Sequence, residues 1–157
     1  MGNVGKLGIC LAVPVLVGAL SGLATARGLE IWYPSLTKPS FNPPDWVFGP
    51  VWTVLYLMMG LAAWLIWRGG LSRPGVRAAL AAFGVQLALN GLWSVLFFGM
   101  RAPGLAFAEI LALWLAIGAT VWLFARVSAP AAAWMLPYWA WVSFASVLNF
   151  ALWRLNP

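Results

Sequence analysis

The stretch from Trp32 to Tyr56, WYPSLTKPSFNPPDWVFGPVWTVLY, decides how the rest of the chain is read. Its first part cannot be regular helix. Pro34, Pro39, Pro43 and Pro44 remove amide donors and push their preceding residues toward extended geometry. From about Val47 the stretch turns apolar and reads as helix. Trp32, Tyr33, Phe41, Trp46, Phe48, Trp52 and Tyr56 place an aromatic ring every few residues along it. A proline-stiffened aromatic loop running into an apolar helix suits a lid over a pocket within a membrane.

Composition sets the environment. Of 157 residues, 64% are hydrophobic and only 8% are charged, whereas a soluble domain is about 45–50% apolar and about 25% charged. The chain is therefore an integral, multi-pass membrane protein. Its 12 tryptophans exceed the needs of interfacial belts. There is no histidine, and Cys10 is the one cysteine. This excludes an intrachain disulfide and an ordinary zinc site and removes the usual axial ligand of haem, so no metal is expected. The net charge of +6 is spread over short loops. It points to lipid head groups or anionic ligands rather than to nucleic acid.

A membrane span needs about 20 mostly apolar residues. Five stretches qualify, at about 7–26, 47–67, 78–98, 105–125 and 131–153. The expected fold class is an all-α membrane protein: one five-transmembrane-helix bundle over residues 1–157, with a long Pro/Trp-rich loop between helices 1 and 2. The first span also fits a signal peptide, through Lys6, its apolar run and Ala24-Thr25-Ala26. Its length and the Gly18–Gly22 pair, suited to helix packing, favour a retained span. Lys6, Arg68, Arg73, Arg77 and Arg126 fall on one side of the membrane, and Arg27, Lys38, Arg101 and Arg154 on the other. This narrowly favours a cytoplasmic N-terminus. Short loops and few lysines fit a bacterial cell envelope membrane.

Three spans carry candidate pocket faces. In the third, Gln86, Asn90, Trp93 and Phe97 share one face, with Asn90 near mid-membrane. A buried amide there needs a partner, which either a ligand or another helix could supply. In the fifth, Tyr138, Trp141, Ala145 and Leu148 share a face on which a large aromatic precedes a small residue, leaving a slot for a flat ligand. Phe48 and Trp52 add a third aromatic face. Gly84 and Ala88 form a small pair that could seat a neighbouring helix or a second protomer. The acids offer little chemistry. Glu30 and Asp45 are expected to be solvated or paired with Arg27 and Lys38. Glu109, about one turn inside the fourth span, is expected to pair with Arg27, Arg101 or a loop amide. One carboxylate without a histidine or metal partner is a poor acid–base apparatus.

The loop 32–56, the third-span QLALN (Gln86–Asn90) with Trp93 and the FFG run (Phe97–Gly99), and the last-span PYWAWVSFASVLNFALWR (Pro137–Arg154) resemble the translocator protein family, also called tryptophan-rich sensory proteins or peripheral benzodiazepine receptors. The resemblance covers essentially the whole chain. It implies a five-helix bundle, a homodimer, and binding of porphyrins such as protoporphyrin IX, of sterols and of benzodiazepine-type ligands, with no required cofactor. Carried over, the ligand site would comprise Pro44, Phe48, Trp52, Asn90, Trp93, Tyr138, Trp141, Ala145 and Leu148. The cholesterol-recognition segment would fall on Val147 to Arg154, centred on Phe150, where the animal proteins carry tyrosine. Phe41 stands where many bacterial members have tryptophan, and Glu109 matches an acidic position of the fourth helix. The implied role is a membrane receptor or sensor for a flat tetrapyrrole. Porphyrin faces would stack on Trp and Phe, and Arg27, Lys38 and Arg101 would meet the propionates. The alternatives are a porphyrin or sterol transporter, and light-dependent porphyrin breakdown with Trp52 and Trp141 as photochemical candidates.

Overall fold

The computed structural model describes residues 2–157. Five helices long and apolar enough to cross a membrane account for most of them: α1 (Asn3–Ile31), α2 (Phe48–Trp67), α3 (Val76–Ser94), α4 (Pro103–Val127) and α5 (Ala129–Leu155). α1, α4 and α5 are longer than their expected apolar runs. The difference is largest in α1, which continues to Ile31 through Arg27 and Glu30. Its 29 residues span about 44 Å at 1.5 Å per residue, so its charged last turns extend past a hydrocarbon layer of about 30 Å.

Around the bundle, α1 packs on α2, α2 on α5, α5 on α4, α4 on α3, and α3 back on α1. Small residues and prolines set how closely these neighbours approach. Pro14 lies inside α1 and is buried. Because proline has no N–H, it cannot bond the carbonyl of Cys10 one turn earlier. That freed carbonyl faces α2 at Gly60, where an added Cβ would lie 2.6 Å from Cys10 O and 2.9 Å from Leu11 Cα. Gly60 therefore lets α2 close onto the exposed backbone of α1, the kind of contact in which a Cα–H group faces a carbonyl. About two turns further along α1, Gly18 packs against the Tyr56 ring. Lys6 fastens the N-terminal end of the same pair. Its Nζ donates to the carbonyls of Trp67 (3.4 Å) and Arg68 (3.5 Å) at the end of α2.

α3 does not end as an α-helix. Val95–Gly99 forms a π-helical turn, with Met100 N donating to Val95 O at 2.8 Å and Ala102 N to Leu96 O at 3.1 Å. The wide turn allows three consecutive residues, Leu96, Phe97 and Phe98, to be buried. Phe98 packs on Gly28 of α1, where a Cβ would lie 2.7 Å from Phe98 Cβ.

The loop between α1 and α2 is short of regular structure, as its prolines require. It holds only two 3-10 turns, Tyr33–Ser35 and Asp45–Val47. Side chains fix it instead. Tyr33 is 1% exposed, and its hydroxyl donates to Asn42 Oδ1 at 2.6 Å. Asn156, beyond the end of α5, accepts from Thr37 N (2.8 Å) and donates to Thr37 O (3.0 Å). Phe41 meets Phe144 edge-on at 6.4 Å. The loop thus closes one end of the bundle.

Gly60→Ala is expected to lower stability by about 1–3 kcal/mol, the usual cost of overpacking, because Cys10 O and Leu11 Cα belong to backbone and cannot turn aside. Thermal unfolding in detergent measures it. An unchanged midpoint would mean that α1 shifts freely on α2.

Candidate functional site

Beneath the loop lies a cavity of about 440 Å³, walled by α1, α2, α3 with its π turn, α5 and Tyr33 of the loop. That volume lies within the range of small-molecule sites, about 300–1,000 Å³. No residue of α4 reaches it. Six of the expected site residues line it: Phe48, Trp52, Trp93, Trp141, Ala145 and Leu148. Their rings form one connected wall. Phe48 meets Trp141 at 6.3 Å and 72°, Trp93 stacks on Phe97 at 5.2 Å and 22°, and Trp52 lies against Tyr56 at 5.6 Å.

Three expected residues stand outside the wall. Pro44 caps the second 3-10 turn of the loop and is exposed. Asn90 and Tyr138 are buried behind the wall. The partner of Asn90 is the bundle itself: it accepts from the Tyr56 hydroxyl at 2.6 Å and donates to the Tyr138 hydroxyl at 3.1 Å. This ties α2, α3 and α5 together near mid-membrane. Both tyrosines flank Trp52, with Tyr138 edge-on to it at 6.2 Å. Asn90 therefore holds the cavity wall from behind. Gln86, on the same face, is also buried; its amide nitrogen lies 4.0 Å from Met59 Sδ and its carbonyl oxygen has no partner.

The charged candidates lie elsewhere. Arg27 and Arg101 are exposed, and neither they nor Lys38 line the cavity. Lys38 Nζ sits 4.8 Å from the centroid of the Tyr33 ring, a cation–π contact at the loop. Val147, Phe150 and Arg154 are exposed on the outer side of α5, where Phe150 packs on Phe107 of α4 at 5.2 Å. The expected pairing of Glu109 is not made. Both its carboxylate oxygens are buried and have no hydrogen-bond partner among the described residues. Glu109 lies three residues from Ala106 and four from Leu113, both fully buried. It therefore lies along the inward stripe of α4, on a side of the helix where no cation among the described residues meets it.

Several lining residues escape sequence reasoning. The α1 wall is made of Gly18, Ser21, Gly22 and Thr25, small residues with no chemical signature. The Gly18–Gly22 pair divides its work: Gly18 packs on Tyr56, while Gly22 has nothing within 4 Å of an added Cβ and faces open space. Asn149 was also missed; its signal in the sequence is a second amide one residue past Leu148. It accepts from Trp93 Nε1 at 2.9 Å and donates to Pro103 O at 2.8 Å, joining α3, α4 and α5.

Most polar groups of the wall are already engaged. Ser21 and Thr25 donate to backbone carbonyls of their own helix. The hydroxyls of Tyr33 and Tyr56 donate to Asn42 and Asn90. Trp141 Nε1 is buried and without a partner. The cavity thus offers mainly flat apolar faces.

The fold and site define a polytopic α-helical membrane protein with an aromatic, loop-capped cavity inside its bundle. Comparison with known proteins places it further. Residues 10–154 match the TspO/MBR family. The chain is 43% identical over 151 residues to the tryptophan-rich protein TspO of Chlorobaculum tepidum, covering 96% of both chains. It is 42% identical over 125 residues to the tryptophan-rich sensory protein of Cereibacter sphaeroides, covering 80% of this chain and 77% of that one. To the human translocator protein it is 42% identical over 127 residues, covering 80% and 75%. The chain belongs to the TspO/MBR family.

Two outcomes follow. Asn90→Leu keeps the branched side-chain shape but strands both tyrosine hydroxyls, so stability should fall by about 1–3 kcal/mol for each buried group left unpaired; chemical unfolding in detergent measures this. The second concerns Tyr33 in the loop. Burial, with the nearby Asp45 charge, pushes its hydroxyl from the ordinary value of 10.0 up to about 12, and the bond to Asn42 offsets this only in part. Its neutral form is the one the fold holds. Its contribution is therefore complete below pH 10.0 and is lost as pH rises through about 12. Unfolding midpoints across that window should fall less in Tyr33→Phe than in the unaltered protein.

Proposed function

We propose that this protein is a membrane receptor or sensor whose cavity binds a flat hydrophobic tetrapyrrole, with protoporphyrin IX as the representative ligand. One observation carries the reading: the wall of Phe48, Trp52, Trp93 and Trp141 is aromatic on several sides of one cavity. Aromatic faces favour offset or edge-on contact with another π system. The names of the relatives, sensory protein and translocator protein, agree with a role in recognising or passing a small molecule. Because no cation reaches the cavity, a ligand's carboxylates would lie at its edge toward the loop, nearer Arg27 and Lys38 than the bundle interior. The pinned loop lowers the ordering cost of binding. A bacterial cell envelope membrane is the proposed location.

Titration of purified protein with protoporphyrin IX in the dark, followed by tryptophan quenching, tests this. Saturable quenching is expected. Trp141→Phe keeps an aromatic ring but shrinks the stacking face, so affinity should fall by about tenfold, equivalent to about 1.4 kcal/mol. Linear quenching that Trp141→Phe and Trp52→Phe leave unchanged would mean partition into the micelle, and the receptor reading would fail.

A further inference from the structure

We propose that the cavity opens sideways, through a portal between α1 and α2 within the membrane, and takes its ligand from the bilayer while the loop end stays shut. This rests on the reading of the cavity as a site for flat apolar ligands and adds the route by which they arrive.

The lining itself shows where the mouth is. Its exposed residues are Val15, Ala19 and Ala26 of α1 and Gly49 and Thr53 of α2. Every lining residue from α3, its π turn, α5 and the loop is buried or half-buried. The seam between α1 and α2 also changes along its length. It is closed where Gly60 meets Cys10 and where Gly18 meets Tyr56; toward the loop, an added Cβ at Gly22 or Gly49 would meet nothing within 4 Å. The helices part above Gly18, and the residues at the gap are too small to fill it.

The depth of the gap fixes the medium it faces. Ala19 lies twelve residues before the end of α1 at Ile31, about 18 Å along the axis at 1.5 Å per residue. A hydrocarbon layer is about 30 Å thick, so this part of the mouth faces acyl chains. Its edge is apolar. The one hydroxyl there, on Thr53, donates to Gly49 O at 2.9 Å. The opposite route is obstructed. Tyr33 is 1% exposed beneath the loop, Thr37 is held by two hydrogen bonds to Asn156, and Lys38 lies over the Tyr33 ring. A water-borne molecule would have to break these contacts, whereas a planar molecule dissolved in the bilayer meets an edge-on opening. The partner is thus a membrane-partitioned planar hydrophobe.

The test is kinetic. Protein reconstituted in vesicles is mixed with protoporphyrin IX-loaded vesicles, and binding is followed by tryptophan quenching; release is followed by dilution into empty vesicles. Ala19→Leu/Thr53→Leu enlarges two outward-facing residues on the rim. It is expected to slow both association and dissociation by about tenfold, because it raises a barrier common to both directions. A change within the site would instead raise dissociation alone. Asn156→Ala unpins the loop and is expected to leave both rates unchanged. If the rim variant keeps normal rates, or if Asn156→Ala speeds both, the portal is wrong and the loop is the route. If the unaltered protein shows no saturable quenching, the porphyrin reading fails and the portal falls with it.

Discussion

A primary amide at mid-membrane presents two donors and an acceptor oxygen with no water to meet them. Asn90 meets this constraint by joining Tyr56 of α2 to Tyr138 of α5, and the geometry of the cavity depends on that join. The two tyrosines support Trp52 from two sides, so a polar contact behind the wall sets the orientation of an apolar ring in it. Asn149 repeats the device closer to the loop, orienting Trp93 while bonding the first carbonyl of α4. In each case an amide that could have faced a ligand faces the protein, leaving the ligand side to aromatic carbon. Membrane helices lack a hydrophobic drive toward one another, so directional bonds and close packing have to fix their arrangement.

The parts of this design that were legible in sequence are those with strong chemical signatures. Five apolar runs gave the spans, and the prolines of the loop gave its irregularity. The aromatic stripes gave most of the cavity wall, because large rings at helical spacing can share only one face. The α1 wall was not legible, since glycine, serine and alanine are common throughout membrane helices and only the neighbouring helix tells a packing glycine from an open one. Gly18 and Gly22 read alike in sequence and behave oppositely. Asn90 was legible as a buried amide but not as a protein-facing one; its choice of partner is settled by where Tyr56 and Tyr138 fall in space. Glu109 was misplaced because depth along a helix was taken as the guide, whereas the side of the helix decided its surroundings.

The same economy of polar groups shapes what the cavity can discriminate. Most of its hydroxyls are turned to their own helices or to asparagine side chains, and the nearby cations stay at the loop. On the proposed binding role, selection inside the bundle would rest on shape and flatness, and charged groups of a ligand would be met only at the margin. A wall of this kind suits a range of planar molecules more readily than one, since a stacking surface has no register to satisfy.

The π turn at Val95–Gly99 carries one more residue than an α-helix would need to cover the same rise. Loss of any one residue there would let the chain tighten into an ordinary helical turn without cutting either flanking segment. In an ordinary helical turn successive side chains point about 100° apart, so Leu96, Phe97 and Phe98 could not all remain inward. Chain length at this point is thus tied to the azimuth of the aromatic wall. In the short turns between helices a residue gained or lost alters only the path of the chain; here it would re-aim the lining of the cavity.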